Sequence, residues 1–525
     1  MLFRWTLYPM VRLAFYLGAG ICFAQVIHVD FFNSGLCPAL LLTLTALFYI
    51  LIQIRKKLAG GFLTGCLIFL CGVLLVTDRK DSQDAFHLTK LKTRIKSFQG
   101  VVVNNIEKTQ SGYKLKIRII KVRDSLSWKN YFADCLFYFR VAPDTLTPGT
   151  YVLATEEPKQ IIPDRDPRFR KQMDRLIQKN IHYQFFAKTY NFKKIGGTPA
   201  AEPDEIERIK KRIELLTAQY ISGVDERIIT EALLIGKTDG LSDSLRQAYA
   251  ASGTMHVLAV SGLHVGIIYW ILLIFLKPLT TFAHGRWLIA AISIVILWCY
   301  AALTGFSPSV LRAVAMFTFV AISNPFGLRS QTVNTLAASF FILLIYDPGL
   351  IYNIGFQLSY LAVAGIIWIH PVLYKTFQPN HKAIDYCWSI ISVSIAAQLT
   401  TFPLTVYYFH QFPVYFIPAN LIIIPLSFLI LLICLIFIAL GSFSITATML
   451  GKVIEASIGV MNSIAHAFQE LPGQLPNDIQ LTISQAFILM TLNVLVISML
   501  MYRKKLLLIP AFILALIFAT TDFIG

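Results

Sequence analysis

Charge is scarce in this chain of 525 residues: Asp, Glu, Lys and Arg together make up only 14%. A single water-soluble globule of that length needs a far more polar surface, so that class is excluded. Paired cysteines are missing too. Most of the eight cysteines, Cys22, Cys66, Cys71, Cys299, Cys387 and Cys434 among them, sit in apolar runs, and Cys135 stands alone in the polar stretch of the chain. No CxxC occurs, which argues against structural zinc and dithiol redox chemistry. A nucleotide loop is absent as well: Lys237 in GKTDG lacks the first glycine of GxxxxGK[ST]. Finally, the apolar run around His256 and His264 holds no carboxylate, so a Ser–His pair there has nothing to orient its base and two histidines make an incomplete metal site. No cofactor is expected.

What the chain has is apolar length. It is 56% hydrophobic, its mean hydropathy is +0.63, and long apolar runs recur, so it reads as a polytopic membrane protein. The formal charge of +17 is partly the Lys/Arg excess usual on the cytoplasmic side. Three runs come first, at about 11–28, 36–54 and 59–76, and the first reads as a retained span, with no small-residue cleavage site after it. The basic turn Arg55, Lys56, Lys57 places itself inside, so the third span leads outward.

From Asp78 to about Gly223 the chain is too polar to span, with roughly 28 Lys/Arg against 17 Asp/Glu. GVVVNNI, YKLKIRIIKV, CLFYFRV and TYVLATEEP cluster β-branched and aromatic residues between turn formers and predict a small extracytoplasmic β-barrel of around five strands. The basic piece PDRDPRFRKQMDRLIQKN and the helical pattern EIERIKKRIELLTAQYI follow, the latter apolar at Ile206, Ile209, Ile213 and Leu216. Glu231 to Ala251 reads as one or two short interfacial helices broken at Thr238-Asp239-Gly240. Ten further runs between 255 and 523 bring the expectation to about 13 spans, range 11–13, with 444–469 either crossing the bilayer or lying in its interface.

The densest functional pattern is GTMHVLAVSGLHVG, Gly253 to Gly266, at the start of the run 255–279. Ionisable groups at bilayer depth cost free energy unless a cavity or partner receives them, so His256, Ser261 and His264 are read on one helix as a functional surface. Gly262 and Gly266 also suit close helix packing. LTGFSPSVLRAVAM adds Arg312 one turn into a span, as a snorkelling anchor or a fixed cation in a polar path. Asn353 and Gln357 stand four apart in DPGLIYNIGFQLSYLAVAG, and Gln398, Pro403, His410, Asn420 and Pro425 follow. Proline-interrupted, amide-bearing membrane helices expose backbone to a hydrated cavity, so a channel-lining path of His256, Ser261, His264, Arg312, Asn353, Gln357, Gln398 and Asn420 is expected.

The order GTMHVLAVSGLHVG, LTGFSPSVLRAVAM, GFQLSYLAVAG and QLTTFPLTVYYFHQFPVYFIPANLIIIPL resembles the membrane competence domain of ComEC-type DNA-uptake proteins, over roughly residues 225–440. The polar segment before it is similar in placement to that family's extracellular OB-like domain. The resemblance implies a polytopic α-helical membrane protein with an inserted extracytoplasmic OB-like β-domain. Its expected divisions are 1–77, 78–200, 201–252, 253–440 and 441–525, in an inner membrane. It implies a channel passing single-stranded DNA into the cytoplasm during natural transformation, with Lys114, Lys116 and Arg118, beside Tyr113, Phe137 and Tyr138, on the DNA strand. Those aromatics equally fit a barrel core. Expected partners are single-stranded DNA, membrane lipid, a DNA receptor and a separate nuclease. Longer members add a metallo-β-lactamase-like domain, whereas no HxHxDH-like signature occurs here and no enzymatic activity is expected. Two other readings stay open: a secondary transporter for a smaller anion, and an intramembrane hydrolase built on Ser261 and His264.

Overall fold

A computed structural model describes residues 8–26, 57–78, 88, 95–103, 106–109, 112–124, 127–141, 146–161, 173, 176, 181–188, 191–197, 205–238, 240–328, 330–473, 479, 481–502 and 508–521. The chain divides into two compact units, 19–208 and 1–18 with 209–525, a coarser division than the five segments read from the sequence. The span expected at 36–54, Arg55, Lys56, Arg503, Lys504, Lys505 and most of 163–180 lie outside the described residues.

Among the described residues two apolar helices, α1 (Pro9–Val26) and α2 (Lys57–Asp78), precede eight strands where about five were expected. These are β1 (Ser97–Val102), β2 (Glu107–Thr109), β3 (Gly112–Arg123), β4 (Trp128–Phe139), β5 (Thr150–Ala154), β6 (Lys159–Gln160), β7 (Ile181–Phe186) and β8 (Phe192–Gly197). They form one sheet in the order β6-β7-β4-β3-β1-β5-β8, with β2 on β3. Among the described residues all pairings are antiparallel except β4 with β7. The four strands the sequence reading missed are short, or lie in IHYQFF and FKKIGG, where alternation is brief. Along β3 the period of two works as expected: Leu115, Ile117 and Ile119 are buried, while Lys114, Lys116 and Arg118 take the other face. Phe98, Phe137 and Phe185 meet at the centre, with centroids 4.6–5.9 Å apart.

The sheet curls on itself. β7 and β8 stand near opposite ends of the strand order, yet one short connection joins them. Asn191, fully buried in that connection, donates from Nδ2 to the Phe186 carbonyl and to Glu156 Oε2, each at 3.1 Å. Its own carbonyl accepts from Thr155 N at 2.9 Å. β7 and the end of β5 therefore lie within a side chain's reach. Four spacings of about 4.8 Å would part them in a flat sheet.

The second unit is helical. Amphipathic α3 (Glu205–Tyr220), α4 (Val224–Ile235) and α5 (Asp243–Ala251) lead to the four-residue turn α6 (Met255–Leu258). The apolar helices follow: α7 (Gly262–Leu276), α8 (Gly285–Leu303), α9 (Pro308–Ser323), α10 (Thr332–Tyr346), α11 (Ile354–Trp368), the short α12 (His370–Tyr374), α13 (Lys382–Phe409), α14 (Phe416–Leu440), α15 (Ser444–Gln469), α16 (Ile483–Tyr502) and α17 (Leu508–Thr521). One core joins Ile229, Leu233 and Tyr249 to Ile423, Phe437, Ile454 and Met461. Another joins Val265 and Tyr269 to Leu297, Val310 and Val314.

The chain is a membrane protein with a β-domain. Among the described residues six helical segments are long and apolar enough to cross a bilayer: Gly262–Thr281, Gly285–Leu303, Ile354–Tyr374, Lys382–Phe409, Phe416–Leu440 and Ser444–Gln469. Others expected as spans, such as α9 and α10, are 16 and 15 residues long and fall short of a full crossing, so 13 spans are not confirmed among the described residues. Residues 444–469 form one continuous helix whose Ile454, Ile458 and Met461 are buried. Two further expectations are corrected. Pro403 and Pro425 lie inside α13 and α14, which run through them unbroken. The break lies instead within the run expected at 255–279, at residues 259–261.

Candidate functional site

That break makes the site. Ala259 and Ser261 are extended, with ψ of 132° and 171°, so α6 and α7 are separate helices and His256 does not share a helix with His264. Ser261 caps α7. Its Oγ accepts from Leu263 N at 3.2 Å and lies 2.9 Å from His264 Nδ1, which accepts the Ser261 N–H at 3.2 Å. The two residues form a reciprocal capping box with histidine in the place Glu or Gln usually takes. Accepting a main-chain N–H at Nδ1 puts the ring proton on Nε2. His264 is buried at 4% exposure.

Gly262, the first residue of α7, is where a cation passes. A Cβ there would lie 2.5 Å from Arg312 Nη2, so only glycine lets the guanidinium rest over this helix end. Arg312 is 6% exposed and does not snorkel. Its Nη1 donates to the Ser359 carbonyl of α11 at 2.7 Å, Nε has no partner, and no ion pair is formed among the described residues. A guanidinium carries five N–H donors, so this one is buried largely unsatisfied.

Three helix starts meet around it. Ser309 Oγ, in the first turn of α9, donates to the Val260 carbonyl just before α7 at 2.7 Å. A Cβ on Gly355, in the first turn of α11, would lie 4.0 Å from Pro308, which opens α9. Each helix start carries unpaired N–H groups and about half a positive charge. Arg312 adds a full one, and no carboxylate answers it. Such a place can hold an anion.

The other expected residues divide. Asn353 is the N-cap of α11 and accepts from Phe356 N at 3.3 Å. Gln357 donates to the Ile351 carbonyl at 2.8 Å and accepts from Tyr408 OH of α13 at 3.2 Å, which ties α13 to this group. Asn420 donates to Ser394 Oγ at 3.3 Å, and its Oδ1 and Gln398 Nε2 are buried without partners. Neither hydrogen-bonds to Arg312. His256 is exposed and sits 3.2 Å from the Gly253 carbonyl, apart from the cluster. Sequence reasoning missed the Ser359 carbonyl, Ser309 and the role of Gly262, since no local pattern tells which turns of α7, α9 and α11 meet.

In the β-domain Phe137 is core, and two of the expected DNA contacts are engaged. Lys116 Nζ lies 2.6 Å and Arg118 Nε 2.8 Å from Asp134, which faces Arg118 directly across the strands and Lys116 on the diagonal. Burial raises the Asp134 pKa, but the hydrogen bonds and charges of Arg118 and Lys116 outweigh it and hold the carboxyl below its ordinary range. Lys114 is opposite Tyr138. Burial raises the Tyr138 hydroxyl's pKa, against the pull of the Lys114 charge.

Residues 233–506 match the model of the family described as Competence protein, and that is more than half of the chain. The chain belongs to the competence protein family. The family's span takes in the cluster just described. Among curated relatives, the chain is similar to ComE operon protein 3 of Bacillus subtilis, 31% identical over 256 residues, covering 48% of this chain and 30% of that protein. It is similar to Recombination protein 2 of Haemophilus influenzae, 24% identical over 247 residues, 45% of this chain and 30% of that one. Competence protein ComA of Neisseria gonorrhoeae is 30% identical over 146 residues, 27% and 21% of the two chains. The chain thus spans about a third or less of the length of the curated relatives it matches. No solved structure matches it.

Proposed function

We propose that this protein is an inner-membrane channel that passes a single DNA strand into the cytoplasm during transformation, and that it does so without catalysing a reaction. The observation that carries this reading is Arg312: a buried cation with no counter-charge among the described residues, where the starts of three helices meet in an apolar bundle. Burying an unpaired ion costs several kcal/mol, a cost offset when an anion arrives. A DNA strand brings one phosphate per nucleotide and requires cations to replace its counterions. Membership in the competence family favours that polyanion over a small anionic solute. The curled β-sheet, with its one parallel pair, supports an OB-like domain, and the basic turn at Arg55–Lys57, read as cytoplasmic, favours the outer side for it. Ser261 is engaged in a helix cap, which speaks against a hydrolase.

The test is Arg312→Leu, expressed at matched levels in a transformable host that lacks its own copy, with cytoplasmic labelled DNA and transformants counted. Both should fall to the level of the deletion. Normal uptake by this variant would sink the reading.

A further inference from the structure

The outer face of the β-domain carries an aromatic platform in which the sequence singled out Tyr138 and Lys114 but neither Phe186 nor Lys159. Tyr138 on β4 and Phe186 on β7 are direct partners in the parallel pair, and their rings stack with centroids 5.4 Å apart and planes 20° from parallel. Phe186 is 49% exposed, unlike the inward-facing Phe137 and Phe185 beside it. Lys159, on β6, holds its Nζ 5.8 Å from the centroid of the Phe186 ring. Lys114 flanks the other side, opposite Tyr138. Four strands thus present, in a row, a cation, two rings and a second cation.

The platform is held from behind. The Phe186 carbonyl accepts from buried Asn191 at 3.1 Å, and the Tyr138 carbonyl accepts from Ala187 N at 2.9 Å. Phe186, half exposed between Tyr138 and the movable end of Lys159, is thereby ordered before any ligand binds, so little further entropy is lost on binding. Stacked rings alone suit any apolar surface. Rings between two lysines suit a ligand that alternates planar bases with phosphates, and only an unpaired strand offers its base faces.

We propose that Tyr138 and Phe186 form a stacking platform for unpaired nucleobases, with Lys159 and Lys114 taking the adjoining phosphates. This rests on the reading of DNA as the cargo and names the form in which the β-domain meets it: single-stranded, gripped by its bases. It adds Phe186 on β7 and Lys159 on β6 to Tyr138 and Lys114, and leaves Lys116 and Arg118 to Asp134.

The test uses the purified full chain in detergent and fluorescence anisotropy. The probes are a labelled oligothymidylate of about 12 nucleotides, within the footprint of one such domain, an abasic strand of equal length and a duplex. Wild-type protein should favour oligothymidylate over both others. Phe186→Ala and Phe186→Leu should weaken oligothymidylate binding on the order of 5- to 150-fold, the usual range for one stacked base, and leave the abasic strand unchanged. Phe186→Trp should restore binding, and Lys159→Ala should weaken both strands alike and flatten the salt dependence. Equal binding of abasic and normal strands by wild type overturns the platform, as does unaltered binding by Phe186→Ala. If the same variants instead lose affinity only for anionic vesicles, the face is a lipid contact and the proposal falls. These outcomes are separate from the channel reading, which stands or falls on uptake by Arg312→Leu.

Discussion

Asp134 in the β-domain and Arg312 in the membrane unit are both largely buried charges, and the protein treats them in opposite ways. Asp134 has two cations within 2.8 Å and a depressed pKa. Among the described residues Arg312 has one carbonyl, an unpaired Nε and no acid. A charge that serves the fold brings its counter-charge with it. One left open among positive helix ends makes the fold less stable, and its persistence needs a ligand to explain it. The same contrast separates Asn191, whose amide bonds on every side, from Gln398 and Asn420, whose buried Nε2 and Oδ1 respectively go without.

The sharpest way to break this contrast is to remove each charge. Arg312→Leu should abolish uptake and leave the melting temperature unchanged or raised, because replacing an unpaired buried ion with a hydrophobe relieves its desolvation. A variant that is inactive because it no longer folds would put Arg312 in the same class as Asp134. Gly262→Ala is a subtler version. The added methyl meets the movable end of Arg312, so the protein should fold normally while the guanidinium is displaced and uptake drops partway. Unchanged uptake would show that the position of the cation over α7 is immaterial.

In the β-domain the effects should fall on stability. Asn191→Ala removes the amide that ties β7 to the end of β5 and should cost about 1–3 kcal/mol, read from thermal unfolding. Asp134→Asn should cost less and change the response to acid. The folded Asp134 pKa lies below its unfolded value, so the pairing contributes fully above the unfolded pKa and is lost as pH falls through the folded one. Wild type should therefore lose stability below about pH 4 more steeply than Asp134→Asn. Parallel acid limbs would mean that the pairing contributes nothing.

Much of this was legible in the chain. The apolar runs located the helices, and the alternation in YKLKIRIIKV put Leu115, Ile117 and Ile119 inside and the three cations outside. Local patterns could not give the rest. The Ala259–Ser261 break sits in an apolar run, where periodicity continues across it and only the cap chemistry of Ser261 marks the new start. Pro403 and Pro425 carry the breaking signal, yet their helices continue, since packed neighbours on both sides hold the chain straight enough for the ladder to resume. Asp134 could have been found by setting YKLKIRIIKV against WKNYFADCLFYF as a hairpin. Phe186 could not, because its parallel partner lies some fifty residues away.

Ser261 gives the smallest effect and separates two kinds of site. A nucleophile and a helix cap both want a serine beside a histidine, and Oγ lies 2.9 Å from Nδ1 in either case. They differ in what replacement does. Ser261→Ala leaves Leu263 N without its acceptor and should cost about 0.5–2 kcal/mol of stability, with uptake retained once expression is matched. Ser261→Asp or Ser261→Asn, good caps but unable to form an acyl or phosphoryl serine ester, should recover the stability and keep uptake. A nucleophile would show the reverse, with all three variants inactive and their stability beside the point. Uptake retained by Ser261→Asn therefore places the chemistry of this cluster in its charge, at Arg312, and leaves its serine and histidine the task of starting α7 where that charge can reach it.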